Sequence, residues 1–590
     1  MLGEREERMR QRMAVAVLGA VALTASLAAC SKNTGTDTST QTKHKPQTSS
    51  IAMDPKDSMG PAKAVPGAVR GGTFHYLEES DFEHLDPQRN YVVDAMSMDQ
   101  LYIRTLTMFK ETGDGTLTLV GDLATTPGKD VKGDCTQWRF TLKDGLKYED
   151  GSPITAADVA YGVARSFSPT LGEGPTYIQR WLADSDEYNA KYKGPYDGGA
   201  KTPPGVTVDG AKTITFTFAK PQCDLPFAAS LGTTAPVPPS KDTGTKYDRR
   251  PFASGPYKID KYIRGTSLTL VRNKYWDPKT DAVRHDYFDK LVAEFGPSNV
   301  QQTNRVIASN GDDAYATQYE NVPASLLPKV TGDPAVKKRM VQGLSPFVSY
   351  LAINTQRVTD LNVRKALNYA LDRGAYLQAR GGNLTGQPAT ALESPLTIGY
   401  QKYDAYPAGT HGDPAKAKQL LGGKHPKLVY AYSNVSANQA TAVVIKNSLE
   451  KAGFQIVLKP VDSSNYYDNI GTKTNPYDLY INTWAADWPS GSSIVAPLFN
   501  GNTIRAKGNK DYSYLNAPDV NAQIEKLVAE HAEQAAPEWA KLDKMIMTKY
   551  APVVPIINTS NVTLSGTKCK NVVLSQTLGT PIFYNVYLTT

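Results

Sequence analysis

The 590-residue chain has few of the residues on which enzyme chemistry often depends, with only seven histidines and four cysteines. The histidines are scattered, and none pairs with a carboxylate or cysteine at the helical or hairpin spacing of a metal site. There is no G-x-S-x-G elbow, and residues 205–213 have one residue too many before the lysine for a phosphate-binding loop. The sequence therefore predicts no cofactor and no metal, and it favours a binding protein over an enzyme.

Charge of one sign and long apolar runs are also missing. The net charge of +7 comes from 65 basic and 58 acidic side chains whose signs are mixed along the chain. Without a basic stripe, nucleic acid is not an expected partner. After residue 30 the sequence has no run of about 18 apolar residues, so no membrane-spanning helix is predicted there.

The N-terminus has the pattern of an export signal. Basic side chains precede the apolar run 13–23, namely Arg8, Arg10 and Arg12. This run is too short to span a bilayer and is typical of a secretory signal. Small residues then lead to Cys30, which resembles the bacterial lipoprotein signal, where the cysteine receives a diacylglyceryl group. We expect residues 1–29 to be removed and Cys30 to anchor the chain; an ordinary signal peptide with a chance cysteine is the alternative.

Residues 30–70 are rich in Ser, Thr, Lys, Gly, Pro and Gln, and they have too few apolar side chains to fold by themselves. We expect a flexible stalk that holds a folded body clear of the membrane. Outside the cytoplasm thiols tend to pair. With Cys30 acylated, three cysteines remain for one disulfide. We expect Cys135–Cys223, since both flank strand-like runs in the same half of the chain, and this leaves Cys569 free.

The body alternates strand and helix patterns. Residues 72–78, 138–142, 213–218, 268–272 and 454–458 are predicted strands. Helices are predicted after the capping box at 155–158, after residue 363, and over 442–452 before Gly453. The sequence therefore predicts a mixed α/β fold.

Five segments, taken in order, resemble the extracellular solute-binding proteins of peptide and nickel ABC importers. They are residues 138–159 (WRFTLKDGLKYEDGSPITAADV), 253–258 (ASGPYK), 271–278 (VRNKYWDP), 350–355 with 363–372 (YLAINT, VRKALNYALD), and 477–479 with 484–489 (YDL, WAADWP). The resemblance extends from about residue 71 to the C-terminus.

This resemblance implies an α/β, two-lobed clamshell like that of periplasmic binding proteins, with an extra subdomain in the first lobe. Lobe one would be residues 71–351, with the subdomain at about 93–211. Lobe two would be 352–549, and residues 550–590 would return to lobe one. The crossing between lobes would lie near residues 352–355.

The resemblance also implies a ligand site between the lobes. In peptide-binding members, the aspartate that matches Asp487 holds the α-ammonium group of the ligand. Trp484 and Trp488 would flank that cation, although a surface aspartate that caps a turn is an equal alternative. Glu78 and Glu79 would border the cleft, or else form a solvated acidic loop. Asn354 would serve the hinge or the ligand.

The leading hypothesis is a lipid-anchored, monomeric receptor that captures a small solute, foremost a peptide. It would deliver this solute to an ABC permease driven by its ATPase, from the outer face of a Gram-positive membrane. One alternative is the same fold with a metal chelate, sugar or antibiotic as cargo. A lipid-anchored hydrolase, and a surface protein that recruits a macromolecule, are further alternatives.

Overall fold

The computed structural model describes residues 48–111 and 116–590. The predicted signal segment, Cys30 and the first part of the predicted stalk lie outside the described residues. Among the helices described, none combines the length and apolar character that crossing a bilayer requires.

The first lobe contains the strands up to residue 318. They are β1 (Thr48–Ile51), β2 (Thr73–Glu78), β3 (Thr107–Glu111), β4 (Thr116–Gly121), β5 (Lys129–Asp130), β6 (Gln137–Thr141), β7 (Val206–Asp209), β8 (Thr213–Thr217), β9 (Tyr257–Ile263), β10 (Ser267–Arg272), β11 (Lys290–Phe295) and β12 (Ala316–Gln318). Its helices are α1 (Val93–Tyr102), α2 (Ala156–Arg165), α3 (Tyr177–Ala183), α4 (Tyr188–Lys191), α5 (Leu225–Ala228), α6 (Asn299–Ala308), α7 (Leu327–Gly332) and α8 (Pro334–Lys337).

The main sheet of this lobe has five strands in the order β12-β2-β11-β10-β9. β2 is parallel to both of its neighbours, and β10 is antiparallel to both β9 and β11. Alternate side chains of β2 and β10 are fully buried, among them Phe74, Tyr76, Leu268 and Leu270. This period of two confirms the strands predicted at 72–78 and 268–272.

The extra subdomain is built on an antiparallel sheet in the order β5-β6-β8-β7 and on a smaller sheet, β1-β4-β3. Helix α2 begins at the predicted capping box, in which Thr155 and Asp158 bond to each other's backbone. The subdomain's apolar core contains lobe-one residues from Leu106 to Leu231, whereas α1 packs in the core of the main sheet. The subdomain therefore begins later and ends later than the predicted range 93–211.

The described part of the predicted stalk is folded. β1 pairs in parallel with β4, and the hydroxyl of buried Ser58 accepts a hydrogen bond from the Gly121 N–H at 2.8 Å. The prediction of a flexible stalk up to residue 70 is therefore wrong for residues 48–58. The polar composition of these residues predicts a flexible segment. Contacts with the subdomain, rather than contacts among the segment's own side chains, hold it in place.

The second lobe follows. Its strands are β13 (Met340–Ile353), β14 (Gly386–Pro388), β15 (Lys427–Ser433), β16 (Gln455–Val461), β17 (Leu479–Ala485) and β18 (Val553–Leu564). Its helices are α9 (Leu361–Ala370), α10 (Arg373–Ala379), α11 (Pro414–Leu421), α12 (Ser436–Lys451), α13 (Tyr466–Ile470), α14 (Ser492–Phe499), α15 (Pro518–Leu527) and α16 (Ala532–Tyr550). The C-terminal residues return to lobe one in short strands, β19 (Cys569–Lys570), β20 (Val573–Leu574), β21 (Pro581–Ile582) and β22 (Tyr587–Leu588).

The sheet of lobe two has the order β14-β18-β13-β17-β15-β16. Its two long central strands, β13 and β18, also connect the lobes. The first part of β13 pairs with residues 560–564 beside the lobe-one core, and the second part pairs with 553–558 in the lobe-two core. The pairing is interrupted between Leu344 and Val348, where Pro346 has no N–H to donate.

The chain therefore crosses between the lobes at about residues 344–348 and again at about 558–560. Both crossings differ from the predicted positions, 352–355 and 550. Asn354, which was expected to serve the hinge or the ligand, lies beyond the crossing and inside lobe two.

Candidate functional site

A cleft of about 420 Å³ lies between the two lobes, which is within the usual range for small-molecule sites. Lobe one contributes residues that precede or begin α1 and α3, and the C-terminal segment at 577–578. Lobe two contributes the end of β17 with the residues that follow it, and the loop 503–510. Segments distant in sequence thus meet only where the lobes face each other.

Asp487 lies at the centre of this cleft. Strand β17 carries the chain to the cleft and ends at Ala485, so the partly buried Asp487 projects just beyond the sheet. Its carboxylate accepts a hydrogen bond from the Tyr177 hydroxyl of lobe one, and Tyr91 is a second hydroxyl partner. Burial raises the pKa of Asp487, although both tyrosines and nearby Lys510 oppose that shift. Among the described residues, the carboxylate thus has hydrogen-bond donors but no cation in direct contact.

Three cationic side chains line the same cleft: Arg180 from lobe one, and Arg505 and Lys510 from lobe two. The Arg180 guanidinium has a loose contact with Asp186, at 3.4 Å, and the Arg505 guanidinium donates to the Gly508 carbonyl, also at 3.4 Å. Among the described residues, neither guanidinium has another ion pair. Burial lowers the pKa of Lys510, and the two arginines lower it further. The cleft therefore holds a carboxylate and a group of weakly paired cations, which suits a ligand with both charges.

The two predicted tryptophans have different positions. Trp484 lines the cleft, and its indole N–H donates to the Ser493 carbonyl at 2.9 Å. Trp488 is only 2% exposed and packs with Tyr177 and Trp181 of lobe one at centroid distances of 4.6 and 6.4 Å. Trp488 therefore holds the two lobes together and does not line the cleft.

The predicted acidic residues of the first loop lie elsewhere. Glu78 is 1% exposed, and burial followed by the charge of Asp94 raises its pKa to about 10. It is therefore a buried, protonated acid at the end of β2. Glu79 is exposed, and its N–H donates to Glu320 at 2.9 Å. Neither belongs to the cleft lining, so the prediction that they border the ligand is wrong.

Asn354 is also buried away from the cleft. Its amide donates to the Tyr480 hydroxyl at 2.8 Å and to the Tyr477 carbonyl at 3.3 Å. Its side-chain oxygen accepts from the Gln356 N–H at 3.2 Å. These contacts fix the end of β13 within lobe two, and the predicted ligand role does not fit them.

The structure pairs Cys135 with Cys223, as expected from the sequence, and Cys569 is free and buried. The disulfide lies where the subdomain meets lobe two. His531, just before α16, has its Nε2 atom 3.7 Å from the Cys135 sulfur. Asp224, next to the disulfide, accepts hydrogen bonds from the Ser492 hydroxyl and, at 3.3 Å, from the Trp488 indole. These contacts close the lobes against each other on this side.

Sequence reasoning missed Tyr91, Tyr177 and the three cations of the cleft. They lie outside the five segments that carried the resemblance, in loops or on helix ends without a distinctive spacing. A general abundance of tyrosine, 33 in the chain, was the only signal that could have pointed to the first two.

Two α/β lobes that are joined by a strand pair and enclose a charged cleft define a clamshell binding protein, whose lobes close around a ligand. Comparison of the chain with known protein families shows which family it belongs to. The model of the bacterial extracellular solute-binding proteins, family 5 Middle, matches residues 118–505, so this chain belongs to that family. It is a family of extracytoplasmic binding proteins.

Individual relatives are distant in sequence and similar in fold. The chain is 26% identical to the periplasmic murein peptide-binding protein MppA of Escherichia coli, over 74% of this chain and 80% of that protein. It is 25% identical to the oligopeptide-binding protein OppA of Lactococcus lactis, over 72% and 74% respectively. The solved structure of clavulanic acid biosynthesis oligopeptide binding protein 2 superposes with a TM-score of 0.81 and 27% identity, covering 92% of this chain and all of that one.

Proposed function

We propose that this protein captures short peptides between its lobes and delivers them to an ABC import permease and its ATPase. Family membership supports solute capture, and the names of the relatives above support a peptide as the solute. The observation that carries the proposal is Asp487, a partly buried carboxylate in the cleft with no cation in contact.

A peptide N-terminus supplies the missing cation. A carboxylate out of bulk water gains a charge-assisted hydrogen bond when an ammonium group arrives, typically about 1.5–3 kcal/mol. Tyr91 and Tyr177 hydrogen-bond to Asp487 and hold it in place. Trp484, on the same cleft wall, offers an aromatic side chain to the ligand beside the charged group.

The ligand carboxylate has its counterpart in Arg180, Arg505 and Lys510. The first belongs to lobe one and the others to lobe two, so an anion among them contacts both lobes at once. A ligand stabilises the closed state only by such differential contacts. The cleft thus has a partner for a positive group and for a negative group of the ligand. A zwitterion therefore fits it better than a sugar or a neutral antibiotic.

The export signal and Cys30 support attachment by a lipid to the outer face of a Gram-positive cell membrane. Two acyl chains suffice for stable anchoring. One chain supplies both walls of the cleft, which supports a monomer. A receptor without catalytic activity is proposed because the family is one of binding proteins.

The test is native mass spectrometry of the purified protein before and after mild denaturation. Release of short peptides is the expected result. Trialanine should then raise the melting temperature, while N-acetyl-trialanine and trialanine amide, which each lack one terminal charge, should not do so to the same extent. An empty protein that no peptide stabilises would refute peptide capture and leave a metal chelate, sugar or antibiotic as the cargo.

A further inference from the structure

A side pocket of about 80 Å³ opens from the cleft into lobe one. It shares Met96, Asp487, Thr577 and Leu578 with the main cleft, so the two spaces meet at the proposed ammonium site. One water molecule needs about 10–15 Å³ in this measure, so the side pocket has room for several non-hydrogen atoms. That is the size of an amino acid side chain.

The side pocket is lined by both apolar and polar residues. Met96, Met108, Phe109 and Leu231 belong to its apolar part. Besides Asp487, which is shared with the cleft, Asp99 of helix α1 supplies a carboxyl group. A side chain that enters therefore meets an apolar passage with an acid in its lining, which suits the aliphatic stem and charged tip of a long basic residue.

Asp99 is held in a fixed orientation. Its two oxygens accept from the Asn90 amide, at 2.5 Å, and from the Tyr102 hydroxyl. An ionised carboxylate has about four acceptor sites, so capacity remains for an incoming donor. Burial raises the pKa of Asp99 to about 8, as expected for a carboxyl group without a cationic partner.

The side pocket has one cationic residue in its lining, Arg284, and that residue is fully occupied. Its five N–H groups reach both oxygens of Asp122, one oxygen of Asp281, and the carbonyls of Gln100 and Ile103. Because Arg284 has no donor to spare, it neither neutralises Asp99 nor attracts an anion. Asp99 is therefore an acid of the side pocket that forms no ion pair with any described residue.

We propose that the side pocket binds the side chain of the ligand's first residue and that Asp99 selects a cationic one, of lysine or arginine length. This inference rests on the proposed function, because the shared Asp487 is what places the first residue at the entrance. A purely apolar side chain would cover the remaining acceptor sites of Asp99 without donating to them, which costs free energy that a cation avoids.

Isothermal titration with two matched tripeptides tests the proposal. Arg-Ala-Ala and citrulline-Ala-Ala have nearly the same shape and differ in the side-chain charge. Wild-type protein should bind the arginine peptide at least about tenfold more tightly, and Asp99→Asn should reduce that preference to less than about threefold. Asp94→Asn is the matched control, because Asp94 belongs to the same helix but does not line the side pocket. It should keep the preference.

The outcomes separate the two proposals. Equal affinities of wild-type protein for both tripeptides, or a preference that survives in Asp99→Asn, would overturn the side-pocket assignment and leave peptide capture intact. If neither tripeptide nor trialanine binds, both proposals fail. The wild-type ratio needs no variant, so it decides the question even if Asp99→Asn does not fold.

Discussion

Two groups of carboxylates in this protein are removed from water in different ways. In lobe one, Asp122 and Asp281 are 2% exposed or less and contact Arg104 and Arg284. Burial alone would raise the pKa of each carboxyl, but the arginines overcome that effect and lower it. These charges compensate each other within the fold.

Near the cleft, Asp487, Asp99 and Asp224 are also withdrawn from solvent. None of them forms an ion pair with another described residue. Burial raises the pKa of all three, to about 8 for Asp99 and about 6 for Asp224. A buried carboxylate that pairs with arginines of the same lobe supports the fold. A buried carboxylate without such a partner can instead bind a ligand or take part in a movement of the lobes.

We expect the largest effect when one of the two carboxylates paired with buried arginines, Asp122, is removed. Asp122→Ala leaves Arg104 and Arg284 buried with one carboxylate fewer, and we expect the free energy of unfolding to fall by about 3–5 kcal/mol. Denaturant unfolding followed by circular dichroism measures it. The control is Asp144→Ala, which removes an exposed ion pair with Lys212 and should leave the midpoint unchanged within error. Equal effects of both substitutions would contradict the assignment.

Removal of Asp487 should affect binding more than folding. Asp487→Asn is expected to weaken binding of trialanine about 10- to 100-fold, because the ammonium loses a charged acceptor. The raised pKa of Asp487 means that the free protein takes up a proton there as the pH falls, which competes with the ligand. Wild-type affinity should therefore decrease on acidification and that of the variant should stay flat. Titration calorimetry between pH 7 and pH 4 checks both; a parallel pH profile in the two proteins would argue against this role.

Asp224 should control closure of the lobes to a smaller extent. Asp224→Ala removes the bonds from Ser492 and Trp488 across the lobes, and we expect a severalfold weaker apparent peptide affinity. While Asp224 is buried against Ser492 and Trp488 its pKa is about 6, and we expect a lower, more usual value once the lobes separate there. Closure therefore binds a proton, and the closed fraction should increase as the pH falls through about 6. Solution scattering of the ligand-free protein at pH 7 and pH 5 measures it, and an equal closed fraction at the two pH values would exclude Asp224 as the titrating group.

Glu78 should give the smallest effect and concerns stability alone. Its pKa of about 10 means that the folded protein retains a proton which the unfolded chain releases near pH 4.5. Stability of the wild type should therefore decline as the pH rises from about 4.5 towards 10. Glu78→Gln, which is neutral at every pH, should therefore lose less stability than wild type between pH 5 and pH 8. Thermal melts at pH 5 and pH 8 test this; a difference that does not grow with pH would contradict it.

Local structure was largely accessible from the sequence. The capping box at 155–158 begins α2, the apolar spacing at 442–452 lies on α12, and the alternation at 213–218 gives β8. These signals depend on neighbours within a few residues, so they need no knowledge of the rest of the fold.

The site was accessible only in part. Asp487 and Trp484 line the cleft, because the segment that carries them lies at and just beyond the end of one strand, and their contact with a ligand stays a prediction. Glu78 and Trp488 are also predicted from the sequence to line the site. Glu78 is instead buried within lobe one, and Trp488 packs against Tyr177. Whether such a side chain faces the cleft depends on which segment covers it, and sequence spacing does not contain that information.

The sequence by itself determined the family, the α/β class, the expected export signal and the strands and helices, since these depend on short-range pattern and composition. The tertiary structure decided where the chain crosses between the lobes, how far the polar N-terminal segment is folded, and which charges meet in the cleft. Tyr91, Tyr177, Asp487 and Lys510 are separated by tens to hundreds of residues, and only the packing of two lobes brings them within reach of one ligand.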